Sequence, residues 1–583
     1  MKRRSFLKNA AIATVTVATP AASLVAAEQV GQVADAVFYN GKVVTVDKTF
    51  SIVQAFAVKG NKILATGSSA DMLALAGEKT VRTDLKGKTV LPGLIDSHLH
   101  ATGAARSEFS APTPEFETIA EVLQWYHEQA AVVPKGEWIR LDQIFITRLK
   151  DLRYPTRDEL DDAAPDHLLC FRTGPDCVLN TKAMEHCGLL GGTPKIKFSL
   201  LESDAKTGKL NGIVRNFSGI PGRAFKATPA EMSAMFAKLM SRYNSVGLTT
   251  ISERGTNDAG FAMMQGLREK GLSNAGLSCR IAVMHSVNRD LPTPEIRKHI
   301  DKITKSGYSR TDNGVWLQGL KFYVDGGMLT GSAAMIEPYG VSKVYGINDP
   351  EYKGVLFVTP EKTVEIARAI LDFGLQPSAH TVGDLGVKTL VDAYAVVNKS
   401  YPVAKFRPCI SHANFTNEQI MDTMKEVGVI ADMQPAWLYL DGAALLGHFG
   451  QRRLGGFQPY RTLLDKGIVV GGGSDHMLKI DPERSNNRYN PFLGIETMLT
   501  RKARWLDEPI HPEQCVTREE AIRFYTSVNA WVLNREDVLG SLEKGKLADF
   551  IVIDRDILTC DANTIKDTVV LQTWLDGACV YRK

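Results

Sequence analysis

From Ala36 the chain alternates apolar and polar positions in short runs: Ala36-Val37-Phe38-Tyr39, Lys42-Val43-Val44-Thr45-Val46, Ile52 to Val58, and Ile63-Leu64-Ala65. Asn40-Gly41 and Lys59-Gly60-Asn61-Lys62 punctuate them as turns. β-Branched residues in period two, broken by Gly and Asn, predict antiparallel strands. The end of the chain reads alike, with Phe550-Ile551-Val552-Ile553, Val569 to Trp574, the turn Asp576-Gly577, and Ala578-Cys579-Val580-Tyr581. Neither stretch has enough strands for a stable sheet alone, so residues 34–90 and 541–583 are expected to share one composite β-sandwich domain.

Between them, over residues 91–540, helical periodicity alternates with apolar runs that end in polar residues. Ala230 to Tyr243 precedes Leu248 to Ser252, and Thr359 to Phe373 precedes Gln376 to Ala379. Further runs are Arg280 to Met284, Val315 to Val324, Cys409-Ile410, Val429 to Ala431 and Ile468 to Gly471. Repeated helix-then-strand order implies a parallel sheet, and about eight strands over this length favour a (β/α)8 barrel over an open sheet. One interval breaks the rhythm. About 150 residues separate Leu99 from Leu248, far more than the dozen or so one crossover needs, so an inserted subdomain is expected after barrel strand 1, at about residues 105–225.

Composition changes the picture at one end only. The 583 residues are 44% hydrophobic and 23% charged, with 69 Lys and Arg against 65 Asp and Glu, which excludes collagenous, coiled-coil and wholly disordered chains. The surplus sits at the front: residues 1–27 contain Lys2, Arg3, Arg4 and Lys8 and no acid, so the remainder balances. Arg3-Arg4-Ser5-Phe6-Leu7-Lys8, a mild apolar stretch from Ala10 to Thr19, and small residues at Val25-Ala26-Ala27 follow the order of a signal peptide. The paired arginines resemble the twin-arginine type, implying a bacterial protein exported through the Tat translocon to the periplasm or beyond. No stretch is long and apolar enough for a stable membrane anchor, and a balanced mature chain gives no electrostatic case for nucleic acid. The eight cysteines show no CxxC, so buried free thiols are favoured, with a bridge among Cys170, Cys177 and Cys187 left open. A homo-oligomer is also left open.

The chemistry-bearing residues fall at strand ends. Leu91 to His100 is an apolar strand closing in His-x-His, and alternation points His98 and His100 the same way, as two ligands of one metal ion require. A lone His-x-His is more often structural. Company lifts it: His380 closes Leu375 to Ala379, His412 closes Cys409-Ile410-Ser411, and Asp475 closes Val469 to Ser474. In a barrel these ends converge on the face where barrel enzymes do chemistry. Trp437, after Asp432-Met433-Gln434-Pro435-Ala436, lines the pocket or fills the core. Ser474-Asp475-His476 is no triad, since consecutive residues cannot all face one substrate, so His476 is assigned to the rim or to support of the site. Gly471-Gly472-Gly473 lacks the context of a nucleotide loop and fits a close backbone approach.

With these residues in view, the sequence resembles the amidohydrolase superfamily, specifically the amidohydrolase family 3 or YtcJ-like branch that includes N-substituted formamide deformylases. The resemblance rests on Pro92 to His100, Lys321-Phe322-Tyr323-Val324-Asp325-Gly326, His380-Thr381-Val382-Gly383-Asp384, Ser411-His412-Ala413-Asn414, Ser474-Asp475 and Gly545 to Phe550. It implies His98, His100, His380, His412 and Asp475 as ligands of one or two divalent ions, with zinc favoured. Lys321 falls where relatives use a carboxylated lysine or a glutamate as a bridge, and the plain alternative pairs it with Asp325. Asp475 would also relay the proton from water to the leaving nitrogen, or serve as a ligand only. Asp96 and Asp384 are candidates to orient neighbouring histidines, or else caps. Departures fall in the insertion: Arg172 to Asn180 lacks the histidine of the relatives' Asp-Gly-His stretch, and Gly212-Ile213-Val214-Arg215-Asn216 ends in Asn where relatives often have Glu.

The resulting expectation is an exported, metal-dependent enzyme hydrolysing a non-peptide C–N bond in a small amide, N-formyl compound or cyclic imide. Two alternatives stand beside it. The same metals would serve ester hydrolysis, decarboxylation or isomerisation of a small metabolite, or the chain would be a non-catalytic exported binding protein.

Overall fold

Eight parallel strands hydrogen-bond in sequence order: β1 (Leu94–Leu99), β2 (Leu248–Thr256), β3 (Arg280–Ser286), β4 (Val315–Tyr323), β5 (Gln376–Thr381), β6 (Cys409–His412), β7 (Ile430–Met433) and β8 (Val470–Gly472). Past β8 the chain lies against β1. His98 O accepts from Asp475 N and His476 O from His100 N, each at 2.7 Å, which closes the ring into a (β/α)8 barrel. This computed structural model describes residues 33–109, 114–191, 199–204, 206–217, 227–272 and 276–583. The leader expected over residues 1–27 lies outside the described residues. Among those described, no helix is long and apolar enough to cross a membrane, and all eight cysteines are free thiols.

Local sequence explains the alternation. The helix Pro229–Ser245 starts at Thr228, whose hydroxyl accepts from Glu231 N while the Glu231 carboxylate accepts from Thr228 N, and proline sits in its first turn. Its stripe Phe236, Leu239, Met240 and Tyr243 is buried in the main core, and it hands the chain to β2. β3 is buried along Arg280 to His285, as a parallel strand covered on both faces must be.

The terminal segments do share a sheet. Thr89–Pro92 pairs antiparallel with Phe550–Ile553, within a six-stranded sheet that also holds Lys42–Val44 and the last two strands. A four-stranded sheet built from Ala34–Tyr39, Ala55–Lys59, Lys62–Gly67 and Ala76–Asp84 packs on it through Phe38, Phe56, Phe550 and Trp574, with ring centroids 4.8–5.3 Å apart. One expectation changes here. Asn40-Gly41 turns the chain but does not make a hairpin: Ala34–Tyr39 and Lys42–Val44 belong to opposite sheets, and each acquires a parallel neighbour. Gly41 sits close beneath Leu85 and Lys88 O at this crossing, where a Cβ would require the Leu85 side chain to shift.

Between β1 and β2 a five-stranded sheet runs Leu200–Ser203, Leu210–Arg215, Asp176–Leu179, Leu168–Thr173, Trp138–Leu141. One face buries Cys170, Cys177, Leu179 and Met184. The other packs Ile139, Leu141, Phe171 and Val178 in a cluster with Met328 and Tyr345 from the long β4–β5 connection. Arg215, fully buried, ties the two together: Nη1 donates to Thr330 O and Nη2 to Tyr345 O, both at 2.5 Å, and Nε lies 3.1 Å from Glu202 Oε1.

Candidate metal centre

The six side chains singled out at strand ends lie together at the C-terminal mouth of the ring. His98 and His100, two residues apart on β1, put their Nε2 atoms 3.5 and 3.3 Å from Asp475 Oδ1. Ligand atoms of these three all lie within 4.8 Å of one another. Next to them, the His412 ring sits 4.7 Å from that of His98 and 4.5 Å from that of His380, centroid to centroid. Lys321 Nζ reaches 3.0 Å from His98 Nε2.

The donor set fits a divalent cation. Asp475 Oδ1 is buried and has no hydrogen-bond partner, while Oδ2 accepts from Asn487 Nδ2 at 3.2 Å. A carboxylate oxygen held between two imidazole nitrogens and away from water is costly unless a cation completes it. His98 Nδ1 faces Asp432 Oδ2 at 3.1 Å, and His412 Nδ1 faces Gln434 Oε1 at 2.7 Å. Acceptors at Nδ1 fix its proton and turn the Nε2 lone pairs inward. Burial pushes His98 and His412 well below the ordinary imidazole range, and takes His380 down to about 3, with the Lys321 charge adding to each. Neutral imidazole is the form that binds metals. Burial also pushes Lys321 down to about 8, against the pull of Asp475.

The backbone is bent to bring these groups in. His412 has φ 89° and Asp475 φ 54°, left-handed conformations that cost roughly 1–3 kcal/mol each and persist where surrounding structure enforces them. Gly473 allows the approach of the last turn to β1, for a Cβ there would lie 1.7 Å from Asp96 Oδ1.

Of the supporting residues expected, Asp96 and Asp384 act on backbone amides, the cap alternative, rather than on histidine rings. Asp96 does not touch a ring: it accepts from the backbone N–H groups of His98 at 2.9 Å and Ser474 at 3.0 Å, bracing β1 against the β8 turn. Burial raises its pKa to about 7. Asp384 lies away from the histidines, at the start of the helix Asp384–Asn398, where it accepts from Ile336 N at 2.7 Å. Asp325 does not pair with Lys321 but accepts from the amides of Val382, Gly383 and Ala334. His476 is buried between Tyr243 Oη, 2.7 Å from Nδ1, and backbone carbonyls of the 478–479 turn. Trp437 stacks on His412 at 5.1 Å and 15° and lines the cavity. The residues that orient the rings are Asp432 and Gln434, with Arg254 Nη2 2.8 Å from Asp432 Oδ2. Their signal was slight: Asp432 lies in β7 and Gln434 one residue past its end, after an apolar run of only Val429 to Ala431.

Above the cluster opens a cavity of about 690 Å³. His100, Lys321, His380, His412 and Asp475 form its floor, and the insertion supplies Arg140, Phe145, Arg172 and Phe217 to its wall.

This arrangement has relatives. The amidohydrolase family model matches residues 82–581. An N-substituted formamide deformylase of Arthrobacter pascens is 26% identical over 95% of this chain and 99% of its own length, and the Bacillus subtilis protein YtcJ is 23% identical over 94% and 99%. In structure, the chain resembles an uncharacterised metal-dependent hydrolase from Pyrococcus furiosus, with a TM-score of 0.62, 21% identity, and coverage of 90% of this chain and all of that one. With the family model spanning the barrel, most of the C-terminal part of the β domain and every residue of the floor, the chain belongs to the amidohydrolase family.

Proposed function

We propose that the protein is an exported hydrolase that cleaves a non-peptide C–N bond of a small amide at a divalent metal centre held by His98, His100, His380, His412 and Asp475. Metal-dependent hydrolysis accords with its family and neighbours. The amide, and the N-formyl group within that class, is supported by the deformylase relative. The observation that carries the reading is the partnerless Asp475 Oδ1 between two histidine nitrogens on the floor of a substrate-sized cavity. Zinc suits the nitrogen-rich donor set.

A divalent ion bound there supplies Lewis acidity, which acidifies water and polarises the scissile carbonyl. Asp432 and Gln434 keep His98 and His412 in the ligating tautomer. Asp475 accepts a proton from the attacking water and returns it to the departing nitrogen: a C–O bond forms, the C–N bond breaks, and acid and amine leave. Lys321, unmodified, brings an amine to 3.0 Å from His98 Nε2. As a carbamate, formed from CO2 with loss of a proton, it would bring two anionic oxygens instead, which is the role we assign it. The leader, with export by the twin-arginine route, is part of the same proposal.

A panel of formamides, N-acyl amines and lactams tests the reaction. Amine release by metal-replete protein is the expected result. Release of carbon dioxide, ester cleavage alone, or isomerisation without hydrolysis would replace it with the corresponding alternative, and no turnover with retained ligand binding would favour the binding-protein reading.

A further inference from the structure

The cavity wall carries cations that the metal centre does not use. Arg140 is paired with Asp142 at 2.7 Å, and Asp475 is held by the histidines, so among the described residues the lining offers no other carboxylate to Arg172 and Arg289. Arg172 uses Nε on Gly174 O at 2.9 Å and forms no ion pair among the described residues. Arg289 is more telling. It lies three residues beyond β3, with its guanidinium 4.6 Å above the Phe357 ring. Its Nε is buried without a hydrogen bond, and its Nη2 lies at the limit of contact, 3.5 Å from Asn216 Oδ1. Its nearest carboxylate, Asp290, is 3.9 Å away and faces solvent, 59% exposed against 19% for Arg289. Burial lowers the pKa of Arg289. A desolvated guanidinium held on an aromatic face and left without a close anion is costly by itself and well suited to take one. Phe145, Phe217, Met328 and Trp437 give the wall apolar surface beside these cations.

We infer that the substrate is a small amide with an apolar body and one carboxylate, and that Arg289 is the residue that binds this carboxylate and sets specificity. The inference rests on the hydrolase reading for its scissile bond. The recognition is separate from the chemistry, because Arg289 stands on the wall and the metal ligands on the floor.

The test uses the full metal-replete chain and two compounds that differ only in the carboxylate, N-formylphenylalanine and N-formylphenethylamine. Wild type is expected to favour the acid by about tenfold or more in kcat/KM, and Arg289→Met to reduce the acid-to-neutral ratio by about a hundredfold, since a truncated buried charge contact costs that much. Arg289→Lys, which keeps charge without the planar fork, should fall between them. Asn216→Asp, nearly isosteric, puts a carboxylate beside Arg289 and should lower the ratio in an unaltered fold. A wild-type preference for the neutral compound, or a ratio unchanged in all three variants, overturns the inference. Calorimetric titration with 3-phenylpropionate, which has no C–N bond, separates the two claims. If neither formamide nor any amide of the wider panel is cleaved, the hydrolase reading fails, yet binding by wild type that is lost in Arg289→Met still upholds the carboxylate site. Absent binding, or equal binding by both proteins, refutes it.

Discussion

The floor and the wall of the cavity are built by opposite rules. On the floor two of the imidazoles have a partner behind them: Asp432 holds His98, Gln434 holds His412, and Arg254 in turn holds Asp432. On the wall, contributed largely by the insertion and the β4–β5 connection, Arg172 makes no ion pair among the described residues, Arg289 has only the long 3.9 Å contact with exposed Asp290, and aromatic side chains stand beside them. A supported floor fixes the reaction. A wall with unspent charge awaits a ligand. Substitutions in the two regions should therefore divide between kcat and KM, and the division can be broken by experiment.

Asp475→Asn is expected to have the largest effect, a fall in kcat of about a thousandfold or more, because it removes both a ligand charge and the proton carrier. Its melting temperature should stay close to wild type, and a comparable fall in KM alone would misplace Asp475. Lys321→Ala should follow with a loss of about a hundredfold, restored in part by acetate or propionate if a carbamate carries the role. No restoration, with an unmodified mass at Lys321, would leave the lysine as a plain amine. Asp432→Ala strips the buried Arg254 of its partner, which should cost about 3 kcal/mol or more of stability. It should also weaken metal binding by about 10–100-fold, measured by competition with a chelator.

Acid should act on the buried histidines, His476 among them. His476 is fully buried, and burial takes its pKa to about 4. A depressed imidazole contributes stability that is present above its unfolded pKa of about 6.5 and lost as pH falls toward 4, at most about 3 kcal/mol. Thermal melts from pH 7 to 4 should show that slope, and His476→Gln should reduce it by the His476 share while the other buried histidines keep the remainder. The smallest effect is expected at the wall: Trp437→Phe preserves a ring over His412, so KM should shift by about threefold or less while kcat holds. A large kcat loss there would erase the distinction between floor and wall.

The floor was legible in the sequence because its rules are local. His-x-His on an apolar strand, and polar residues closing later strands, follow from period-two alternation and from the convergence of barrel strand ends. Its supports were less so. Asp432 and Gln434 stand in a segment whose apolar run is only Val429 to Ala431, too short to establish which way later residues face. Asp96 and Asp384 sit beside histidines in sequence, but strand geometry sends Asp96 to backbone amides, and a helix start claims Asp384. The terminal pairing was readable from two strand-poor segments, whereas the Asn40-Gly41 crossing depended on Phe38 packing between sheets. Least legible was the wall. Arg289 follows β3 in an irregular turn, and its meaning depends on Phe357 and Asn216, distant in sequence.

The central claim is that the floor holds metal, and metal content tests it most directly. Purified wild-type protein from metal-replete expression should carry at least one equivalent of zinc, manganese or iron per chain by elemental analysis, and a His98→Ala, His100→Ala double variant should carry far less. Wild type with less than about half an equivalent, or a double variant that retains the full content, would contradict the account.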